Sequence, residues 1–152
     1  MWVGCDDFGH MDKPSHPWVT LLQENLLELK LPAEFSDEEF RGYIEAADDW
    51  YRMRKPGPVA WTLDASDLQG SNPVKRRMLV GHLQTNKEQL NRDCRGIAVV
   101  TPNKMLRGIM QAVLWFAPLA YPHGAFDTVD EARDWARRHL TGDVGMAAAP
   151  PA

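Results

Sequence analysis

Leu27, Leu29 and Leu31 alternate with Glu28 and Lys30, the period of a strand with one buried face, and a second β-rich run, Trp18 to Leu22, precedes them across Gln23-Glu24-Asn25. The pattern predicts an antiparallel hairpin. Ser36 with Glu39 three residues later forms a capping box, and Phe35 is spaced to pack on Phe40 as a hydrophobic staple. A helix is expected from Ser36, with Phe40, Tyr43, Ile44, Ala47, Trp50 and Tyr51 inward, ending near Arg54 before Pro56-Gly57-Pro58. Val59 to Leu63 is a short apolar strand. Asn72 as cap and Pro73 at the first helical position open a second helix with Val74, Met78, His82, Leu83, Asn86 and Leu90 on one face.

Gly96 to Val100 is continuously apolar, as expected of a central parallel strand covered on both faces. Thr101-Pro102 begins a third helix, with Met105, Leu106, Ile109, Met110, Val113 and Phe116 inward and Pro118 at its end; Leu119 to Tyr121 is expected to be a brief edge strand. Thr128 and Glu131 form another capping box, starting a helix that turns Ala132, Trp135, Ala136 and Leu140 inward. The expected order is ββαβαβαβα. That order favours an α/β fold with one mixed sheet, right-handed crossovers and helices packed on the sheet.

Composition narrows the function classes. A chain of 152 residues suits one domain, expected over 17–141 between a flexible leading segment, 1–16, and a disordered tail, 142–152. Met11 is an alternative start. The net charge of -4 with interspersed signs offers no basic surface for a nucleic-acid backbone. The longest apolar window, Ile109 to Tyr121, is too short to span a bilayer, and Asp6 and Asp7 stand where a secretory signal carries cations. A cytoplasmic protein with free thiols at Cys5 and Cys94 is expected.

The segment from Val59 to Ser71 is the candidate site, because a loop leaving the carboxyl end of a strand is where such folds place their working surface. Lys75, Arg76 and Arg77 fall in the first turn of the following helix, where the macrodipole is positive. Two readings stay open: pairing with Asp64 and Asp67, or an anion held by the arginines and the helix start. Ser66 and Ser71 either satisfy loop and helix N–H groups or accept a phosphate. The third helix carries apolar residues beyond one face, and Met110, Leu114, Trp115 and Tyr121 are candidates for burial, for a homodimer or partner interface, or for a cover over an apolar ligand. No glycine-rich phosphate loop, Walker loop or His-Glu-x-x-His occurs, so neither cofactor nor metal is expected; Cys94 with His82 or His123, and Cys5 with His10 and His16, rank last as catalytic and metal readings.

From Trp18 to Leu140 this arrangement resembles the STAS domain of bacterial anti-sigma-factor antagonists and stressosome scaffold proteins. Asp64-Ala65-Ser66 matches the family's Asp-x-Ser at a strand end, and Ser71 lies at the position of its phosphoserine, while Gln69-Gly70-Ser71-Asn72 stands where the family has Asp-Ser-Ser-Gly. Arg107-Gly108, Leu114-Trp115, Pro118, Tyr121-Pro122-His123 and the Phe126 to Trp135 segment are similar to a divergent bacterial subgroup. The resemblance implies a non-enzymatic signalling domain that docks on a protein partner, such as a serine kinase or sigma-factor regulator. The contact surface is then the Asp64 to Ser71 loop and the following helix start. The alternative is a module binding an anionic or lipid-like small ligand through Arg76, Arg77 and the third helix.

Overall fold

The computed structural model describes residues 12–69, 72–116 and 118–142, the side chains of Val113 and Phe116 excepted. The expectations for Cys5, His10 and Met11, for Gly70 and Ser71, for the Val113 and Phe116 side chains and for the chain after Gly142 lie outside those residues. The hairpin forms as β1, Val19–Gln23, and β2, Leu26–Lys30, with Asn25 in the left-handed region at φ 66°, a conformation asparagine tolerates better than most residues. Then follow α1, Asp37–Met53; β3, Val59–Asp64; α2, Pro73–Thr85; α3, Lys87–Asp93; β4, Cys94–Val100; α4, Lys104–Phe116; β5, His123–Phe126; and α5, Val129–Thr141.

The strands make one mixed sheet in the order β1-β2-β3-β4-β5, antiparallel between β1 and β2 and parallel elsewhere. This is the expected alternating α/β architecture. Strand alternation divides the core. Leu27, Leu29, Val59 and Trp61 face the layer that contains α1, where Phe40, Tyr43, Trp50 and Tyr51 meet them. Leu26, Ala60, Ala98 and Val100 face α5, against Ala132, Trp135 and Ala136. In the first layer the indole N–H of Trp61 donates to the Tyr51 hydroxyl at 2.8 Å, which pairs two buried polar atoms.

Local signals hold at the α1 start. Ser36 accepts from the Glu39 N–H at 3.0 Å, Glu39 accepts from the Ser36 N–H at 2.9 Å, and the Phe35 and Phe40 rings lie 5.6 Å apart. At α5 the box is half formed: Thr128 accepts from the Glu131 N–H at 3.2 Å, but the Glu131 carboxylate takes the Thr128 hydroxyl at 2.8 Å instead of a backbone N–H.

Several expectations need correction. The second helix breaks at Asn86, whose side-chain amide donates to the His82 carbonyl at 2.9 Å and to Asp48 at 2.7 Å, so α2 ends there and a short α3 follows. The element order is therefore ββαβααβαβα. Leu119 to Tyr121 is not a strand; β5 begins after Pro122, pairing His123 with Ile97, while Tyr121 is buried in the core under α1 and α2. Tyr121 is thus no interface residue. The middle strand is β3, and β4 lies between β3 and β5. In α4, Leu106 is buried but Met105 is 62% exposed, so the inner face is rotated away from Met105.

Gly96 on β4 explains how one helix closes the second face. A Cβ built there would stand 2.9 Å from the Trp135 ring, closer than side-chain carbons approach. Gly96→Ala is expected to lower the free energy of unfolding by about 1–3 kcal/mol through overpacking. Gly42→Ala, in α1 with nothing within 4 Å, is expected to raise it by about 0.5–1 kcal/mol. Urea denaturation of the two variants reads both signs, and equal midpoints would contradict the packing account.

Candidate functional site at the carboxyl end of the sheet

The loop after β3 is held at its root by a buried carboxylate. Asp64 accepts from the Ser66 N–H at 3.0 Å and from the Ser66 hydroxyl at 2.5 Å, while its second oxygen faces the Lys30 ammonium at 3.5 Å. Lys30 also reaches Asp67 at 3.4 Å. The parallel register that sets Lys30 opposite Asp64 makes this pairing possible. Burial alone would push the Asp64 carboxyl up, but the Ser66 hydroxyl and N–H, and then the Lys30 charge, outweigh it and hold it below the usual carboxylate range. Main-chain bonds from Ala65 to the Val100 carbonyl at 2.9 Å and from Gln69 to the Ala33 carbonyl at 3.1 Å complete the anchoring. Ser66, Asp67 and Gln69 are exposed, whereas Asp64 and Ala65 are buried beneath them.

The basic turn of α2 is arranged differently from the expected pairing with Asp64 and Asp67. Asn72 caps the helix by accepting from the Lys75 N–H at 2.8 Å. Lys75 reaches Asp37 in the first turn of α1 at 2.9 Å, and the Asn72 amide donates to the same oxygen at 3.1 Å. Those two hydrogen bonds, Lys75 first, hold the Asp37 carboxyl below its ordinary range. Asp64 and Asp67 are instead served by Lys30. Among the described residues, the guanidinium groups of Arg76 and Arg77 meet no carboxylate within ion-pair distance and no hydrogen-bond acceptor.

Arg76 stands between two hollows. One is a cavity of about 120 Å³ between α2, α4 and the sheet, floored by Leu63 and Val99, walled by Phe35, Leu79 and Ile109, with Lys75 and Arg76 among its lining. The other is an open cleft of about 510 Å³ lined by Pro73, Arg76, Arg77, Val80, Gly81 and Ala112. Of the candidate interface residues, Met110 and Leu114 are half-buried, and Trp115 is 85% exposed. A third hollow, about 590 Å³, separates α4 from β5 and is lined by Arg107, Met110, Gln111, Leu114 and His123 to Asp127.

Sequence reasoning missed three features. Leu79 lies one turn beyond Lys75 and Arg76, a helical spacing that ties the cations to the cavity. The buried His82 and Asn86 share the half-buried Asp48, with the His82 Nδ1 2.6 Å from it; nothing in the sequence relates Asp48 to α2. Glu28 is buried and accepts from Arg133 at 2.8 and 2.7 Å and from Thr62 at 2.9 Å, a pairing that spans most of the chain.

The catalytic reading of Cys94 finds no thiolate: the residue is buried, and desolvation pushes its thiol up to about 12. His16 turns its Nδ1 to the Trp18 N–H at 3.2 Å, and no group of three metal-ligating side chains occurs among the described residues. None of the described helices is long and apolar enough to cross a membrane.

A family model described as SpoIIAA-like matches residues 26–137, from β2 into α5. The chain belongs to the SpoIIAA-like family. Its likeness to anti-sigma-factor antagonists suggests a regulatory domain, and domains of this type are in general non-enzymatic. A search of curated proteins finds no match to the chain. The match takes in the Asp64 loop, the α2 start and α4, so the features described above lie inside the SpoIIAA-like domain.

The Asp64 network gives a signed pH dependence. A carboxyl held low in the fold adds stability above its unfolded value, near ~3.9, that is lost as the pH falls through the folded value. Ser66→Ala is expected to destabilise the domain by roughly 1–2 kcal/mol at neutral pH. The difference from wild type shrinks on acidification. Guanidinium unfolding at neutral and at acidic pH measures it, and a difference that stays constant with pH would mean that the lost bonds did not serve the ionised carboxylate.

Proposed function

We propose that this SpoIIAA-like domain binds a small amphipathic ligand, its apolar part beneath α4 and its anionic group at the start of α2. One observation carries the reading: an apolar cavity has two cations at its rim, one of which, Arg76, has no carboxylate partner among the described residues. The positive dipole end of α2 adds to the attraction for an anion. A dry cavity of about 150 Å³ takes benzene. The volume of about 120 Å³ therefore suits one ring or a short chain while α4 stays in place. A longer chain requires α4 to swing outward and join the cavity to the outer cleft.

Titration calorimetry and thermal shift with phenyl phosphate and with hexanoate test this, with inorganic phosphate and hexanol as half-ligands. The anionic probes are expected to raise the melting temperature and each half-ligand to bind ~10-fold or more weakly. Leu79→Trp, which fills the cavity, is expected to abolish binding without unfolding the protein, and Arg76→Glu to weaken it by ~10-fold, about 1.4 kcal/mol. Probes that bind Leu79→Trp as well as wild type would end the proposal.

A second reading, docking on a protein partner, is favoured by the exposed Ser66, Asp67 and Gln69, on a segment pinned at both ends. The family likeness points to a serine kinase or a sigma-factor regulator as the class of partner. Asp64 contributes by shaping the loop, whereas Asp67, Arg76 and Arg77 supply charge. A phosphate on Ser66 would displace its hydroxyl bond to Asp64 and set like charges together, so Ser71, adjacent to the Asn72 cap in sequence, is the better acceptor. Affinity purification from the native cell is expected to retain a partner with wild type and lose it with Arg76→Glu/Arg77→Glu. Phosphate-affinity gels of Ser71→Ala read the modification, and an unmodified wild-type chain removes that part of the reading.

A further inference from the structure

We infer that two copies of this chain join through the outer edge of β5, continuing the sheet across a two-fold axis, with α4 and its exposed Trp115 packing over the seam. The parity of β5 fixes which groups are free. The Ile97 N–H donates to the Pro122 carbonyl and the Thr101 N–H to the Phe126 carbonyl, both at 3.0 Å, in the register Ile97 with His123 to Val100 with Phe126. Gly124 and Phe126 therefore turn their main-chain groups toward β4. His123 and Ala125 turn theirs outward. In an antiparallel pair, outward-facing residues opposite one another exchange two hydrogen bonds.

Only one register uses all of them, His123 opposite the partner subunit's Ala125 and Ala125 opposite the partner subunit's His123, giving four bonds. The axis then passes through Gly124, at a pair where the two main chains come closest. On the α4 side of the sheet, His123 lies diagonally across from the partner subunit's Asp127, and no like charges stand directly opposite one another.

The two sheet edges differ in a way that selects this one. The β1 ladder is broken by an irregularity between Leu21 and Gln23, a usual protection of an exposed edge, whereas the β5 register is unbroken. β5 is short, and four bonds do not hold a dimer. The remainder comes from α4. Its Arg107, Gln111 and Leu114 line the groove of about 590 Å³ beside β5, and Trp115, 85% exposed, follows Gln111 by one turn on the same side of the helix. Two-fold pairing of the edges sets the α4 helices antiparallel over the joined sheet, where the two grooves meet and each tryptophan loses ~150 Å² or more to the partner. A Trp exposed to this extent beside an edge with no strand partner among the described residues is the surface that association covers.

Sedimentation velocity and light scattering over a concentration series test the inference. Wild type is expected to be a dimer that dissociates on dilution. Ala125→Pro removes an outward N–H at a position where an edge strand tolerates proline, and Trp115→Glu places a charge on the seam at a site too exposed to disturb the monomer. Each is expected to weaken dimerisation by ~10-fold or more, with the melting profile of the dilute monomer kept for Trp115→Glu. Met53→Glu, 54% exposed on α1, serves as control and stays dimeric. Wild type that is monomeric at high micromolar concentration, or a dimer indifferent to Trp115→Glu, would overturn the inference. Ligand binding is expected to be unaffected by that variant, because Trp115 does not line the cavity, so the two proposals fail separately.

Discussion

One helix has to cover a whole face of a five-stranded sheet, and the close approach of Trp135 to Gly96 is how α5 does it. With Ala60 and Ala98 beside Gly96, the α5 face of β3 and β4 is shaved nearly flat, and a large ring can lie over two strands. Where α5 does not reach, the same face turns polar. Glu28 and Thr62 sit at the margin, and Arg133 swings out from the helix to neutralise the carboxylate. Lys30 and Asp64 follow along the same strands toward the carboxyl end. The polar cluster that shapes the candidate loop is thus a continuation of the device that closes the second face.

The opposite face is covered in excess at one side and thinly at the other. Aromatic residues of α1 fill the space over β2 and β3, and α2 leans on them through His82 and Asn86, which share Asp48. Over β4 and β5 lies α4. Leu106 is its buried anchor, while Met105 and Trp115 point to water and hollows open on both of its flanks. Packing at interior density leaves few such voids, so a helix with space on both sides is held less firmly than its neighbours. Arg107 compensates from the rim, donating to the Thr101 carbonyl at 2.7 Å and to Asp127 at 2.6 Å, which ties the start of α4 to both adjoining strand ends.

What was legible in the sequence follows from how local the deciding chemistry is. The α1 start could be read to the residue, because Ser36, Glu39, Phe35 and Phe40 satisfy one another within a single turn. The hairpin was readable for the same reason. Leu119 to Tyr121 has the apolar character of a strand but serves as a plug in the core, and the strand waits until Pro122, which lacks an N–H, has been passed. Asn86 looked like one more inward position of a long helix, yet its amide ends α2 by binding partners on its own helix and on α1. The error over Lys75 has the same origin: Asp64 and Asp67 are near in sequence, but Asp37 is nearer in space, and Lys30 reaches the loop through a strand register that no local pattern encodes.

The cations at the α2 start carry the last step. A positive charge in the first turn of a helix costs on the order of 0.3–1 kcal/mol when uncompensated. Asp37 offsets this for Lys75, and the described residues offer no carboxylate for Arg76 or Arg77. Two arginines kept at an unfavourable dipole end, one of them rimming an apolar cavity, are a standing electrostatic deficit that the fold does not relieve. A surface charge with only solvation to satisfy would cost less almost anywhere else on this domain. An anion outside the described fold would relieve it. Both proposed uses of the site, a carboxylate or phosphate head group and an acidic contact on a partner, answer that one deficit. They compete for the same two side chains, so a bound ligand and a docked partner would be coupled with opposite sign.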